Sequence, residues 1–384
     1  MSLLDLIEKN LEQIKVNQLW RSIPSIRSHA KKYINLNGSN YLNLSSNNYL
    51  GLADSAYLKQ SAISAIEKFG CSSCASRLVS GNFEIYNELE STIAQFKHTQ
   101  KALVLNAGYV ANLTLLQALA KDAVVFSDKL NHASIVDGIL LSRAKFHRYA
   151  HCDIEMLEKL LKKETANKII VTDTIFSMDG DAAPLKEIVS LAKHYDAFVI
   201  VDEAHATGIF GEGRGYAYQK GVSRDIDCHM GTFSKALGSF GAYIASSELV
   251  IDYLINNARG FIFSTALPPA VIGANLASID YVLKNPQLGK NLLSISENIR
   301  QYLKKLGFDV GNSVSQIIPV ILKTNEAVLK AQKLLITKGI FVGAIRPPTV
   351  PKNTSRLRIS LRADLDENDL ELIKDAFAYL GNIL

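Results

Sequence analysis

The stretch "AFVIVDEAHATG", Ala197–Gly208, sets five apolar residues ahead of an acid, Asp202. An uninterrupted apolar run of this length fits a strand buried on both faces, as in parallel sheets covered by helices. Asp202 then stands at the strand's carboxyl end, where ligands of such sheets gather. The flanking chain repeats the pattern. "KALVL", "AVVF" and "KIIVT" are strand-like, and helical patterns follow at 109–120, at 133–142 and after Pro184. "KFHRY" precedes another helix starting near Asp153, and residues 55–69 and 83–98 also carry helical periodicity. Short apolar strands alternating with amphipathic helices predict an α/β fold with a mostly parallel sheet. The loops after Leu105, Thr172 and Val201 are then the places to look for a site.

From about residue 285 the texture changes. A helix near 291–306 precedes the strand-like runs "SQIIPVIL", "GIFVGAI" and "SRLRISL", with helices near 325–338 and 366–380. This predicts a smaller α+β domain at the C-terminus. The expected organisation is an N-terminal helix and arm over 1–45, a large domain over 46–284 and the α+β domain over 285–384. A length of 384 residues predicts two domains, or one large domain with a satellite.

Composition narrows the function. The chain is 48% hydrophobic and 21% charged, enough for an ordinary core, and a net charge of +5 spread over this length is mild. No basic run with interleaved aromatics points to nucleic acid. "MSLLDLIEKNLEQIKV" carries acids and lacks the continuous apolar segment of a secretory signal; Leu4, Ile7, Leu11 and Ile14 instead share one helical face. The uncharged stretch Ala102–Ala120 is broken by Asn106, Gly108, Asn112, Thr114 and Gln117, so it fits a buried strand and helix, not a membrane span. Four cysteines, Cys71, Cys74, Cys152 and Cys228, do not make a disulfide framework, and the cytoplasm is the expected compartment. Cys71 and Cys74 form a C-x-x-C without a second ligand pair nearby in the chain, so no metal is expected.

In "HMGTFSKALGSFGAY", His229–Tyr243, Lys235 is the one formally charged residue. An amine among small and apolar neighbours loses solvation for its charged form and can act as a nucleophile or base. A lysine at an ordinary strand–loop junction is the alternative. Asp202 bears on the choice, because pyridoxal phosphate needs an amine for its aldehyde and an acid against its ring nitrogen. His205 lies close to Asp202 in the chain. In "NAGYVAN", Gly108 and Tyr109 fall where a strand gives way to a helix N-terminus, an anion site or simply a turn. Thr232 and Ser234 add hydroxyls beside the lysine. His132 follows "AVVF" and has the shape to stack on a planar ring. Alternation puts Arg356 and Arg358 on one strand face, either to grip a carboxylate in two parallel hydrogen bonds or as solvated charge. "GEGRG" at 211–215 does not match the dinucleotide-binding fingerprint, which argues against a nicotinamide-dependent oxidoreductase.

These residues, in this order, resemble the α-oxoamine synthases, fold-type-I pyridoxal-phosphate enzymes that join an amino acid to an acyl thioester with loss of carbon dioxide. The motifs span nearly the whole chain: "LNLSSNNYLGL", "NAGYVANL", "DKLNHASIVDG", "FSMDGDAAPL", "VDEAHATGIFGEGRG", "GTFSKALGSFGAY", "FIFSTALPP" and "RLRISL". The resemblance implies that Lys235 carries the cofactor and later acts as base, that Asp202 pairs with the ring nitrogen and that His132 stacks on the ring. It implies Ser177 and His205 near the ring hydroxyl, Gly108 and Tyr109 near the phosphate, and Thr232 beside the cofactor. Thr265 would reach the phosphate of a neighbouring subunit, which implies a homodimer. Arg358, helped by Asn47, would hold the amino acid's carboxylate, and Arg21 the far carboxylate of the acyl chain. The loop "AIRPPTVP" is most similar to that of the biotin-pathway member, which condenses L-alanine with a pimeloyl thioester of coenzyme A or a carrier protein. Members using glycine or serine, or a non-catalytic partner subunit of the same fold, are the competing readings; the presence of Lys235 with Asp202 weighs against the last. The chain departs from the family's glycine-rich pattern in "GCSSCASR", at Ser72, Cys74 and Ala75, and it has Tyr86 and Asn87 in "YNELE".

Overall fold

The computed structural model describes residues 1–383. Its strands are β1 (Tyr33–Leu36), β2 (Ser39–Asn43), β3 (Lys101–Leu105), β4 (Val124–Asp128), β5 (Lys145–Tyr149), β6 (Lys168–Asp173), β7 (Ala197–Asp202), β8 (Cys228–Thr232), β9 (Ala242–Ser246), β10 (Ile317–Lys323), β11 (Ile340–Phe341), β12 (Gly343–Ile345) and β13 (Ser355–Ser360). The helices needed below are α1 (Leu3–Val16), α2 (Ala56–Phe69), α3 (Glu84–Lys97), α4 (Gly108–Leu119) and α5 (Ala133–Ser142). The chain divides into two compact units.

The larger unit, residues 47–177 and 181–293, holds a seven-stranded sheet of order β3-β9-β8-β7-β6-β4-β5. Strands β8, β7, β6, β4 and β5 pair in parallel; β9 runs antiparallel to β8 and β3. Every residue of β4, β8 and β9 is buried, as apolar runs covered on both faces require. One face packs Val125, Ile169, Ile200, Met230 and Ile244 against Leu115, Ile135, Ile139 and Ile251 of the covering helices. Beyond Thr232 the chain turns back on itself. Gly238 (φ +64°) and Gly241 (φ +98°) take left-handed backbone there, and a Cβ at Gly238 would lie 2.5 Å from the Ala53 nitrogen. This tight return holds Lys235 and makes β9 antiparallel, a reversal that the apolar pattern alone does not signal.

The smaller unit comprises residues 1–46, 178–180 and the chain from Ser294 onward. Its sheet β10-β13-β12 is antiparallel, and a second sheet has the order β1-β2-β11. The arm groups with the C-terminal segment because β2 pairs in parallel with β11. Helix α1 starts in a Ser2–Asp5 capping box, and Leu4, Ile7, Leu11 and Ile14 are all exposed on it. Among the described residues, no helix is long and apolar enough to cross a membrane.

Candidate active site

Strands β6 and β7 end side by side, with Asp173 in register with Asp202. Asp202 ends its strand in a local turn: its Oδ1 accepts a hydrogen bond from the Ala204 N–H at 2.8 Å. Its Oδ2 accepts from Asn112 Nδ2 at 2.8 Å, and the same nitrogen lies 2.9 Å from Ser134 Oγ. Ser134 Oγ is in turn 2.7 Å from His132 Nδ1. His132 therefore sits at the end of a hydrogen-bonded chain that begins at Asp202. Its ring nitrogen also accepts from the Ser134 N–H, capping α5.

Asp202, His132 and Lys235 border one cavity of about 140 Å³, with Gly108, Thr232 and His205 also in its wall. Lys235 Nζ lies 3.5 Å from Thr232 Oγ1. Packing around the His132 ring lowers its pKa below 6.5; Lys235 pushes the same way, and Asp202 pulls against it. Helix α4 opens at Gly108 with no side chain capping its first turn, which leaves the first backbone N–H groups there able to receive an anion. A Cβ at Gly108 would lie 2.6 Å from Thr232 Cγ2, and Thr232 is itself buried. Gly108→Ala is therefore expected to weaken binding of pyridoxal phosphate by about tenfold or more, through overpacking. Adding Thr232→Ser deletes the clashing methyl but keeps the hydroxyl, and should restore most of the affinity. Fluorescence titration of the two variants checks both expectations.

His205 is anchored from behind. Tyr49 Oη lies 2.8 Å from His205 Nδ1 and donates to Asn47 Oδ1 at 3.0 Å. Asn47 thus joins the site's surroundings through a tyrosine. The cavity wall includes Gly108, Tyr109, His132, Asp202, His205, Thr232 and Lys235; Ser177 and Thr265 are outside it. Ser177 is half-buried after β6, whereas exposed Thr265 has its carbonyl held by Asn106 Nδ2 at 2.9 Å. Arg21 and Arg358 belong to the smaller unit. Arg21 is exposed and donates to the Pro347 carbonyl. Arg356 and Arg358 are 4% and 6% exposed, so the solvated-face reading fails. Arg356 pairs with Asp179 at 2.5 Å, and Arg358 donates to Ser360 Oγ at 2.7 Å.

Sequence reasoning passed over Asn112, Ser134 and Asp173. Asp173 closes the apolar run "KIIVT" as Asp202 closes "AFVIV", so the same signal was present twice. Cys71 and Cys74 are exposed free thiols. Among the described residues, the ligand-bearing side chains that converge are Asp128, His151 and Cys152. There the His151 imidazole bridges Asp128 Oδ1 (3.0 Å) and Asp181 Oδ2 (2.7 Å). Burial opposes its charge, but the hydrogen bonds to the two acids prevail and raise its pKa to about 12, which favours the imidazolium over a metal-binding ring. Cys74 takes left-handed backbone (φ +52°) at a position where the family pattern has glycine, which explains why glycine is common there.

An amine and a buried acid face one cavity, with an uncapped helix N-terminus at its edge. The chain belongs to the aminotransferase class I and II family, whose model matches residues 39–377, and within it to the α-oxoamine synthases that its motifs resemble. Its similarity runs along almost the full length of known 8-amino-7-oxononanoate synthases. It is 47% identical over 385 residues to that of Geobacter sulfurreducens, covering 98% of both chains. To that of Citrifermentans bemidjiense it is 48% identical over 371 residues, covering 94% of this chain and 95% of the relative. Among solved structures, the serine palmitoyltransferase of Sphingomonas wittichii superposes with a TM-score of 0.94 at 30% identity, covering 100% of this chain and 99% of that one. A serine palmitoyltransferase from S. paucimobilis with bound pyridoxal phosphate and myriocin gives 0.93 at 30%, over 100% and 99%. The 8-amino-7-oxononanoate synthase of Francisella tularensis gives 0.77 at 26%, over 89% and 97%.

Proposed function

We propose that this chain is a pyridoxal-phosphate enzyme that condenses L-alanine with a pimeloyl thioester, releasing carbon dioxide and the thiol to give 8-amino-7-oxononanoate. The placement of Lys235 and buried Asp202 around one cavity carries the reading of the chemistry. Identity near 47% to 8-amino-7-oxononanoate synthases, against 30% to serine palmitoyltransferases, favours alanine as the amino acid.

The site's residues fit the cofactor. The free N–H groups at the start of α4 suit its phosphate, Gly108 leaves room for close approach, and Asp202 is an acid for its ring nitrogen. Pyridoxal phosphate, when bound, supplies an aldehyde and a protonated ring that spreads the negative charge developing at the substrate's Cα. Lys235 Nζ would hold the cofactor at its aldehyde and, when free, would be the base for the proton on the substrate's Cα. His132, which lines the same cavity, would cover one face of the ring. Asn112, by donating to Asp202, fixes the acid's orientation. His205, braced by Tyr49, is assigned with Ser177 to the ring hydroxyl. Arg358 and Asn47 are assigned to the alanine carboxylate, and Arg21 to the far end of the acyl chain. Thr265 serves a second copy of the chain, so the working enzyme is a homodimer, acting in the cytoplasm with coenzyme A or a carrier protein as acyl carrier.

The test is spectral and chemical together. With pyridoxal phosphate bound, L-alanine should shift the visible absorbance at lower concentration than glycine or L-serine. Pimeloyl-coenzyme A should then give a product of the expected mass, with one carbon dioxide per turnover. A response to glycine or serine alone would keep the family and reject the substrate.

A further inference from the structure

Two buried acids share the floor of this cavity, and only one has a role in the proposed chemistry. Asp173 is 3% exposed and Asp202 4%. They end adjacent parallel strands in register, and both line the cavity. The hydrogen bonds differ. Asp202 accepts from the Asn112 side chain and the Ala204 N–H. Asp173 Oδ2 accepts from the His132 N–H at 2.7 Å, and its own N–H donates to Asn131 Oδ1 at 2.9 Å. Asn131 Nδ2 reaches back to the Val171 carbonyl at 2.7 Å and to Ser127 Oγ at 2.9 Å. Asp173 and Asn131 together stitch the β4–α5 turn, which carries His132, onto the end of β6.

We propose that Asp173 is a positioning residue: it holds the backbone of His132 so that the ring faces the cavity, and it does so as the uncharged acid, so that Asp202 alone supplies the counter-charge to the cofactor ring. Two carboxylates side by side, both removed from water, repel strongly, and one proton relieves that cost. Burial drives Asp173 to keep its proton, and Asp202 adds to this. The His132 N–H and Lys235 act in the opposite direction, and Asp128 acts with Asp202. The geometry needs an acceptor oxygen from Asp173, which the carbonyl of a neutral acid still supplies, if less strongly than an ion. This rests on the cofactor reading above, but its central measurement does not need the cofactor.

Asp173→Asn keeps the acceptor oxygen and the shape but cannot ionise; Asp173→Ala removes both. Two readouts follow, on the full-length protein: the titration of the His132 ring by NMR with labelled histidine, and the dissociation constant for pyridoxal phosphate by fluorescence. In the native protein, the His132 midpoint should lie below 6.5, as its packed ring requires. Asp173→Asn should keep it there and hold cofactor affinity within about threefold. Asp173→Ala, which leaves a buried N–H without its acceptor, should raise the midpoint and weaken the cofactor by about tenfold. Thermal melting of each variant shows whether the fold survives. If Asp173→Asn behaves like Asp173→Ala, the negative charge is needed and the proposal is wrong. If Asp173→Ala behaves like the native protein in the His132 titration, Asp173 positions nothing. If native protein binds no pyridoxal phosphate but the titrations follow the expected order, the cofactor reading fails and the positioning role stands.

Discussion

Lys235→Ala protein will bind pyridoxal phosphate without becoming linked to it, and its turnover will fall on the order of a thousandfold or more, because nucleophile and base are lost together. Borohydride reduction separates the outcomes. In native protein it should fix one cofactor to the peptide that contains Lys235, and mass spectrometry should find none fixed in the variant. The expectation rests on placement: Lys235 lines the same cavity as Asp202 and His132, in the tight return between β8 and β9. Cofactor fixed to another lysine of native protein would remove Lys235 from the chemistry, whatever the variant's activity.

The second large effect lies in the core beneath the site. Glu203, the residue after Asp202, is fully buried with Lys97 and His229, at 0%, 1% and 0% side-chain exposure. Lys97 donates to Glu203 and to the Arg214 carbonyl; the Ala217 N–H donates to Glu203 Oε1 at 3.0 Å. His229 Nδ1 lies 3.2 Å from the same carboxylate. Burial alone would raise the pKa of Glu203, but Lys97 and His229 more than reverse it and hold it at about 2. Lys97→Met leaves a buried carboxylate without its main partner and should cost about 3–5 kcal/mol in urea unfolding. Glu203→Gln added to Lys97→Met removes the stranded charge and should recover part of this. The pH dependence has a definite sign. A carboxyl with a depressed folded-state pKa stabilises fully above its unfolded value of 4.5 and loses that contribution as pH falls through about 2. Between those limits the native protein should lose ~3 kcal/mol from this group, and Lys97→Met should lose much less. Equal acid limbs for the two proteins would refute the pairing.

Much of the architecture was legible because its signal is local. Five apolar residues before Asp202 predict a strand, and β7 spans Ala197–Asp202; helix α5 covers Ala133–Ser142 as its periodicity predicts. Local patterns do not report pairing. The β9 reversal depends on Gly238 and Gly241 taking positive φ, and "GIFVGAI" splits into β11 and β12, which join different sheets. Lys235, Asp202 and His132, which line one cavity, each carried a local signal: a lone charge, a strand-end acid and a histidine after an apolar run. Asn112, Ser134 and Tyr49 were not, since a buried amide or hydroxyl declares itself only through its partner. Asp173 lies between these cases. Its strand-end position was visible, but its meaning comes from lying beside Asp202, a relation that needs the order β7-β6.

The edge of the large sheet has a consequence for how the protein is made. Strand β3, which leads into Gly108, sits at the end of the sheet order, and β9 is its neighbour there, with Lys101 opposite Ser246 and Leu105 opposite Ala242. On the ribosome, β3 emerges early and must wait for β9, with the whole parallel series synthesised in between. Long-range pairing of this kind makes folding slow and leaves an unpaired edge exposed meanwhile. The turn that would cradle a phosphate is thus clamped to the sheet only after β9 has been made. A growing chain has no finished cradle to offer, and tight uptake of the cofactor becomes a sign that the large unit has closed.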